Sequence, residues 1–125
     1  MKYMLLLYGN QAQLPNFTPE QLQENVREWN AFSADAQAAG VLLYNDGLAL
    51  TTEAKSLTIR DGKTVIFDGP FAETREQLGG YFMLECKDMD EALEWAAKLP
   101  AAKFGTVEVR PVNVWTQARD KRNNR

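Results

Sequence analysis

The 125-residue chain predicts an α+β domain, a ferredoxin-like βαββαβ sheet carrying one extra β-hairpin. Three observations point there. Two segments open on helix-capping residues and continue with apolar side chains at helical spacing. Two others, Lys2–Tyr8 and Tyr81–Cys86, are apolar on both faces, as central strands are. A third pair of short strands is joined by Asp61-Gly62, the strongest short-range hairpin signal.

In chain order, Lys2–Tyr8 is the first strand and 9–17 a loop. Thr18-Pro19-Glu20-Gln21 starts a helix, with Thr18 as N-cap, Pro19 at the first helical position and Gln21 closing a capping box. Leu22, Val26, Trp29, Phe32/Ser33, Ala36 and Ala39 form its apolar stripe, and Gly40 ends it at the C′ position. Val41–Tyr44 opens a second strand reaching towards Leu50. Ser56–Arg60 and Lys63–Asp68 flank the hairpin turn, and Tyr81–Cys86 follows. Asp88 caps a second helix, with Glu91 at N3, a buried stripe of Met89, Ala92, Leu93, Ala96 and Leu99, and Pro100 as its stop. Thr106–Val112 is the last strand. Without the hairpin this is the split βαβ arrangement, and right-handed crossovers place both helices on one face of the sheet.

The other face then has no cover, although both central strands offer it apolar side chains. Soluble monomers rarely expose such a patch. Sheet-on-sheet packing of two copies resolves this, so a homodimer is expected, forming an α+β barrel with a cavity between the sheets.

Composition bounds the function. With 45% apolar and 25% charged residues the chain has enough material for one core, and residues 1–116 are read as a single domain. Residues 117–125 carry four basic residues and one acid, a basic tail on a body of net charge −6. An acidic body argues against a phosphate-backbone footprint, so no direct nucleic-acid binding is expected. The N-terminal apolar run is too short for a membrane span and lacks a cleavage site; no membrane association and a cytoplasmic location are expected. Cys86 is the only cysteine, which excludes an intrachain disulfide. The absence of histidine removes the commonest metal ligand and general base. With no dinucleotide, P-loop or EF-hand spacing either, no metal or cofactor is expected.

The segment Asp68–Tyr81, DGPFAETREQLGGY, closely resembles the signature of the DGPF family, a branch of the YCII-related proteins. The opening Lys2–Gly9, the helix residues Glu91–Ala96 and the final Val107–Val112 resemble the same family in the same order. The resemblance implies a dimeric ferredoxin-like barrel. Related proteins carry a His–Asp pair proposed as an active site; here the histidine is missing, and Asp68 alone has a plausible counterpart. Relatives of this fold include cofactor-free isomerases and monooxygenases, and some DGPF proteins look associated with alternative sigma factors by genomic neighbourhood.

Asp68 is therefore the candidate catalytic residue, with a turn cap as its structural reading. Strand alternation puts it on the same face as Thr64 and Ile66, which becomes a cavity face if Ile66 points into the dimer. Tyr8, Arg75, Tyr81 and Arg110 are the candidate ligand-binding residues: the tyrosines terminate central strands, and the arginines suit an anion. Each also has a plain reading, as amphipathic strand ends, a solvated Arg75 and an Arg110 paired with Glu108 of the dimer mate. Trp29 reads as core, Trp95 as lying off the buried stripe, and Trp115 as packing across the dimer or lining a cavity mouth. The residues lead to a protein binding a small polar or anionic molecule in the barrel, with Asp68 as acid–base group if it is an enzyme. The alternative is a non-enzymatic accessory protein in which the signature is architectural.

Overall fold

The computed structural model of the protein describes residues 1–113; Trp115 and the basic tail lie outside them. Strand β1 (Lys2–Gly9) alternates strictly: Tyr3, Leu5 and Leu7 are buried, while Met4, Leu6 and Tyr8 turn to the opposite face. Its antiparallel partners are β5 (Gln77–Glu85), with Leu5 opposite Phe82, and β6 (Thr106–Pro111), with Leu5 opposite Val109. β2 (Leu42–Gly47) pairs with the far side of β5, so the sheet order is β2-β5-β1-β6. That is the ferredoxin-like order, and the two central strands are the two that are apolar on both faces.

Helix α1 (Pro19–Ala38) begins as its residues dictate. Gln21 N donates to Thr18 Oγ1 at 3.1 Å, and Thr18 N donates to Gln21 Oε1 at 2.8 Å, closing the capping box. Gly40, at φ +74°, turns the chain out of the helix. α2 (Met89–Ala96) is capped by Asp88, but Glu91 closes on the N–H of Lys87, one residue earlier than expected. Pro100 starts a further short helix, α3 (Ala101–Phe104), which the sequence pattern does not anticipate.

Both main helices cover one face. Phe32 and Ala36 of α1 and Ala92 and Ala96 of α2 join Tyr3, Leu5, Phe82, Leu84 and Leu99 in one buried cluster. Phe32 stands edge-on to Phe82 and to Trp95, at 4.9 and 5.8 Å between ring centroids. Trp95 thus packs against the core, contrary to its expected place off the stripe, and Lys98 Nζ sits 4.4 Å from its ring centre. The α1 stripe is buried only in its second half: Leu22 and Val26 are exposed, as is Leu93 on α2. Helical period identifies a face but not how far along it the sheet extends.

The hairpin β3 (Lys55–Arg60) and β4 (Lys63–Asp68) forms a separate two-stranded sheet. Asp61 and Gly62 both take positive φ, +51° and +76°, as a type I′ turn requires. β5 starts at Gln77, four residues before its expected start at Tyr81, so the diglycine lies inside a strand. Gly80 pairs with Leu7 on one side and Gly47 on the other, and a Cβ there would sit 2.9 Å from the Asp46 carbonyl oxygen.

Candidate functional site

Two hollows meet at the C-terminal end of β1. The first, about 290 Å³, lies between that strand end, α1 and α3. Its walls include Leu7, Asn25, Trp29, Phe104, Gln11 and Gln77. Trp29 is stacked parallel on Phe82 (5.9 Å, 1° between planes), and Phe104, itself largely exposed, meets Phe17 at 5.9 Å. Apart from Tyr8, no lining residue is ionisable. Most of the amides are engaged: Gln11 Oε1 accepts from Thr51 N and Oγ1, Gln77 Oε1 from Gln11 N, and Asn10 Oδ1 from Ala12 N. Asn25 Oδ1 is buried with no hydrogen-bond partner among the described residues, a state that buried acceptors rarely tolerate.

The second hollow is a more open cleft of about 790 Å³, lined by Arg75, Glu76, Thr106 and Glu108, with Tyr8, Asn10, Gln13 and Phe104 shared with the first. The cleft lies where the uncovered sheet face meets the signature segment. Tyr8 Oη donates to Glu108 Oε1 at 3.2 Å, and Arg110 Nε donates to Glu108 Oε2 at 2.9 Å. Burial first, then the bond to Glu108, pushes the Tyr8 hydroxyl above its ordinary value, so it stays a proton donor at neutral pH. The Arg110 bond draws Glu108 below the usual carboxylate range. Thr106 Oγ1 donates to Glu76 Oε1 at 2.7 Å, tying the signature segment to β6. Arg75 is exposed and makes no ion pair among the described residues. Gly105 is required by this corner: an added Cβ would overlap the Tyr8 carbonyl oxygen and lie 3.0 Å from its carbon.

Of the residues named from sequence, Tyr8 and Arg75 therefore share the cleft, and Arg110 borders it through Glu108 of its own chain. Tyr81 is on the same sheet face but on the β2 side, where its hydroxyl donates to Asp46 Oδ2 at 3.1 Å. That bond, more than burial, raises its pKa. Asp68 is in neither hollow. Its carboxylate is 85% exposed and pairs with Lys55 Nζ at 2.5 Å across the hairpin. The corner itself is held by Gly69 N to Ala54 O (2.7 Å) and by the Ser56 hydroxyl to Gly69 O (2.8 Å).

No spacing in the sequence marks Asn25, Phe104 or the double role of Glu108 as site features, and the helical stripe marks Trp29 as core alone. The amide-rich run Asn10, Gln11, Gln13 was the available signal, but its amides converge with α1 only after folding. Among the described residues no group of three or more His, Cys, Asp or Glu is placed to hold a metal ion. No helix among them is long and apolar enough to cross a membrane.

The YCII-related domain matches residues 1–116. An uncharacterized protein of Rhizobium meliloti (strain 1021) is 35% identical over 117 residues, covering 92% of this chain and 94% of its own. Among solved structures, the 5-chloro-2-hydroxyhydroquinone dehydrochlorinase of Burkholderia phenoliruptrix, in complex with 2,5-dihydroxybenzoquinone, aligns with 90% of this chain and 94% of its own at 14% identity and a TM-score of 0.46. The domain match from end to end of the sheet, with the close relative beside it, shows that this chain belongs to the YCII-related family.

Proposed function

We propose that the protein binds a small polar or anionic molecule at the C-terminal end of β1, in the joined pocket and cleft. The observation that carries this reading is the meeting of Tyr8, Arg75 and the Arg110-paired Glu108 in one cleft that shares walls with an uncharged pocket. Arg75, a cation of the cleft with no ion pair among the described residues, is available for an anionic group, the Tyr8 hydroxyl is a donor, and Arg110 holds Glu108 in place. A second copy of the chain laid against the half-buried Met4, Leu6, Tyr8 and Tyr81 would wall in the cleft, so the working form is a homodimer, and we place it in the cytoplasm. Acid–base catalysis by Asp68 belongs to this reading only if the mate's hairpin delivers that carboxylate, because within one chain it stands in solvent.

The test uses benzoate as an anionic probe, followed by ¹⁵N amide shifts and by sedimentation. Benzoate is expected to shift resonances around Arg75 and Tyr8 in a dimeric protein. Arg75→Gln is expected to weaken binding about tenfold or more, in line with roughly 1.5–3 kcal/mol for a charge-assisted bond. A monomer, or equal binding by the variant, overturns the reading.

One observation favours a second reading, an interaction protein. The hairpin carries Leu57, Ile59 and Ile66 at 59%, 63% and 61% exposure, beside Phe71 at 84%. Exposed apolar residues grouped like this mark contact surfaces. Deleting the hairpin tip and measuring dimerisation and partner capture separates an arm that grips the mate from one that meets another protein.

A further inference from the structure

The reading above leaves the chemistry of the occupant open, and the two hollows together narrow it. We infer that the ligand is an amphipathic monoanion: an aromatic ring seated in the uncharged pocket, joined by a short linker to one carboxylate that reaches Arg75 in the cleft. This rests on the joined pocket and cleft being the ligand site.

The pocket selects the ring. Apart from Tyr8 its lining holds no ionisable group, so a charge placed inside would lose its water without gaining a counter-charge. Leu7, Phe17, Trp29, Leu48, Leu50 and Phe104 supply apolar wall. The amide oxygens of Asn10, Gln11 and Gln77 already accept from the protein, so what the pocket offers a guest is hydrophobic burial rather than hydrogen bonds. About 290 Å³ is at the small end of ligand sites, roughly 300–1,000 Å³, which suits a single ring. The cleft selects the charge. Both of its carboxylates are engaged: Glu108 accepts from Tyr8 and Arg110, and Glu76 from Thr106. Arg75 makes no ion pair among the described residues, so the charge left unmet in the cleft is positive, and its planar fork matches a carboxylate. A second negative charge on the ligand would stand among Glu76 and Glu108 and be repelled. Tyr8, Asn10, Gln13 and Phe104 line both hollows. Ring and anion therefore belong to one molecule, in which binding of either part brings the other to its place.

Three probes separate the parts: 4-phenylbutyrate carries ring and charge, 4-phenylbutyramide the ring alone, and butyrate the charge alone. ¹⁵N-labelled protein titrated with each reports on the pocket through the Trp29 indole N–H and on the cleft through the Arg75 backbone amide. 4-Phenylbutyrate is expected to shift both signals along one binding curve, and to bind about tenfold or more tightly than either partial probe. Arg75→Gln is expected to bring acid and amide to equal affinity while the Trp29 shift is kept. Ala101→Phe, which fills the pocket from α3, is expected to reduce 4-phenylbutyrate to the affinity of butyrate. Amide spectra establish that both variants are folded. The inference is overturned if either partial probe binds as tightly as 4-phenylbutyrate, if the acid shifts Arg75 but not Trp29, or if its preference over the amide survives Arg75→Gln. If benzoate shifts Arg75 and Tyr8 while 4-phenylbutyrate leaves Trp29 unmoved, the inference falls and the anion-binding reading stands. If no probe shifts these residues, both fall.

Discussion

Gly105→Ala isolates the corner on which both hollows depend. Gly105 leads from α3 into β6 and lies against the last turn of β1. An alanine Cβ there would meet the Tyr8 carbonyl carbon at 3.0 Å, Gly9 Cα at 3.1 Å and the Tyr8 carbonyl oxygen closer still. All three are backbone atoms, so no side chain can swing aside. Restoring ordinary contact at the carbonyl oxygen requires the two strands to part by about 1.4 Å. The first casualty is the Tyr8–Thr106 pair, the last of the β1–β6 register. Overpacking of this kind costs about 1–3 kcal/mol, and a strained ladder hydrogen bond adds about 0.5–1.5 kcal/mol. The expected loss is therefore about 1.5–4.5 kcal/mol by these terms, or roughly 10 °C in Tm for a domain of this size. Urea unfolding at a fixed protein concentration measures it, because dimerisation would otherwise move the midpoint. Gly79→Ala is the control: its nearest neighbour is Leu7 O at 4.0 Å, and the change should lie within about 0.5 kcal/mol of wild type. A Gly105→Ala protein as stable as wild type would refute the close approach, and with it the shape of the site.

The buried thiol gives a pH prediction. Burial, then the charge and hydrogen bond of Glu91, hold Cys86 up to about 11. An unfolded thiol ionises near 8.5, so this contribution is constant below that pH, and stability is lost as pH rises from there through 11. The loss reaches about 3 kcal/mol at 1.36 kcal/mol per unit; it should be absent from Cys86→Ala when unfolding is followed against pH, and rapid reaction of the native thiol with a disulfide reagent at pH 8 would contradict it. Asp68→Asn tests the signature's aspartate. As one half of a largely exposed ion pair with Lys55, it should cost less than about 1 kcal/mol and be weaker still in high salt. A loss well above that in a urea titration would mean that Asp68 is buried against a mate.

Local chemistry was written plainly in the chain. Thr18, Gln21 and Asp88 cap helices because their side chains reach backbone donors a few residues away, and Asp61-Gly62 turns because both residues accept positive φ. Strand alternation made Met4, Leu6 and Tyr8 share one face, and the βαββαβ order left that face without helices. These features depend on near neighbours and on period, which a sequence displays directly. The site is different. Asn25, Tyr8, Gln77 and Phe104 come from α1, β1, β5 and α3, and only folding brings them to one end of the sheet. The depth to which α1 is buried, the reach of β5 back to Gln77, and the exposure of Asp68 were likewise settled by packing. Which end of a stripe meets the sheet, and which carboxylate stands in water, depends on the position of distant strands, so no spacing within the chain can encode it alone.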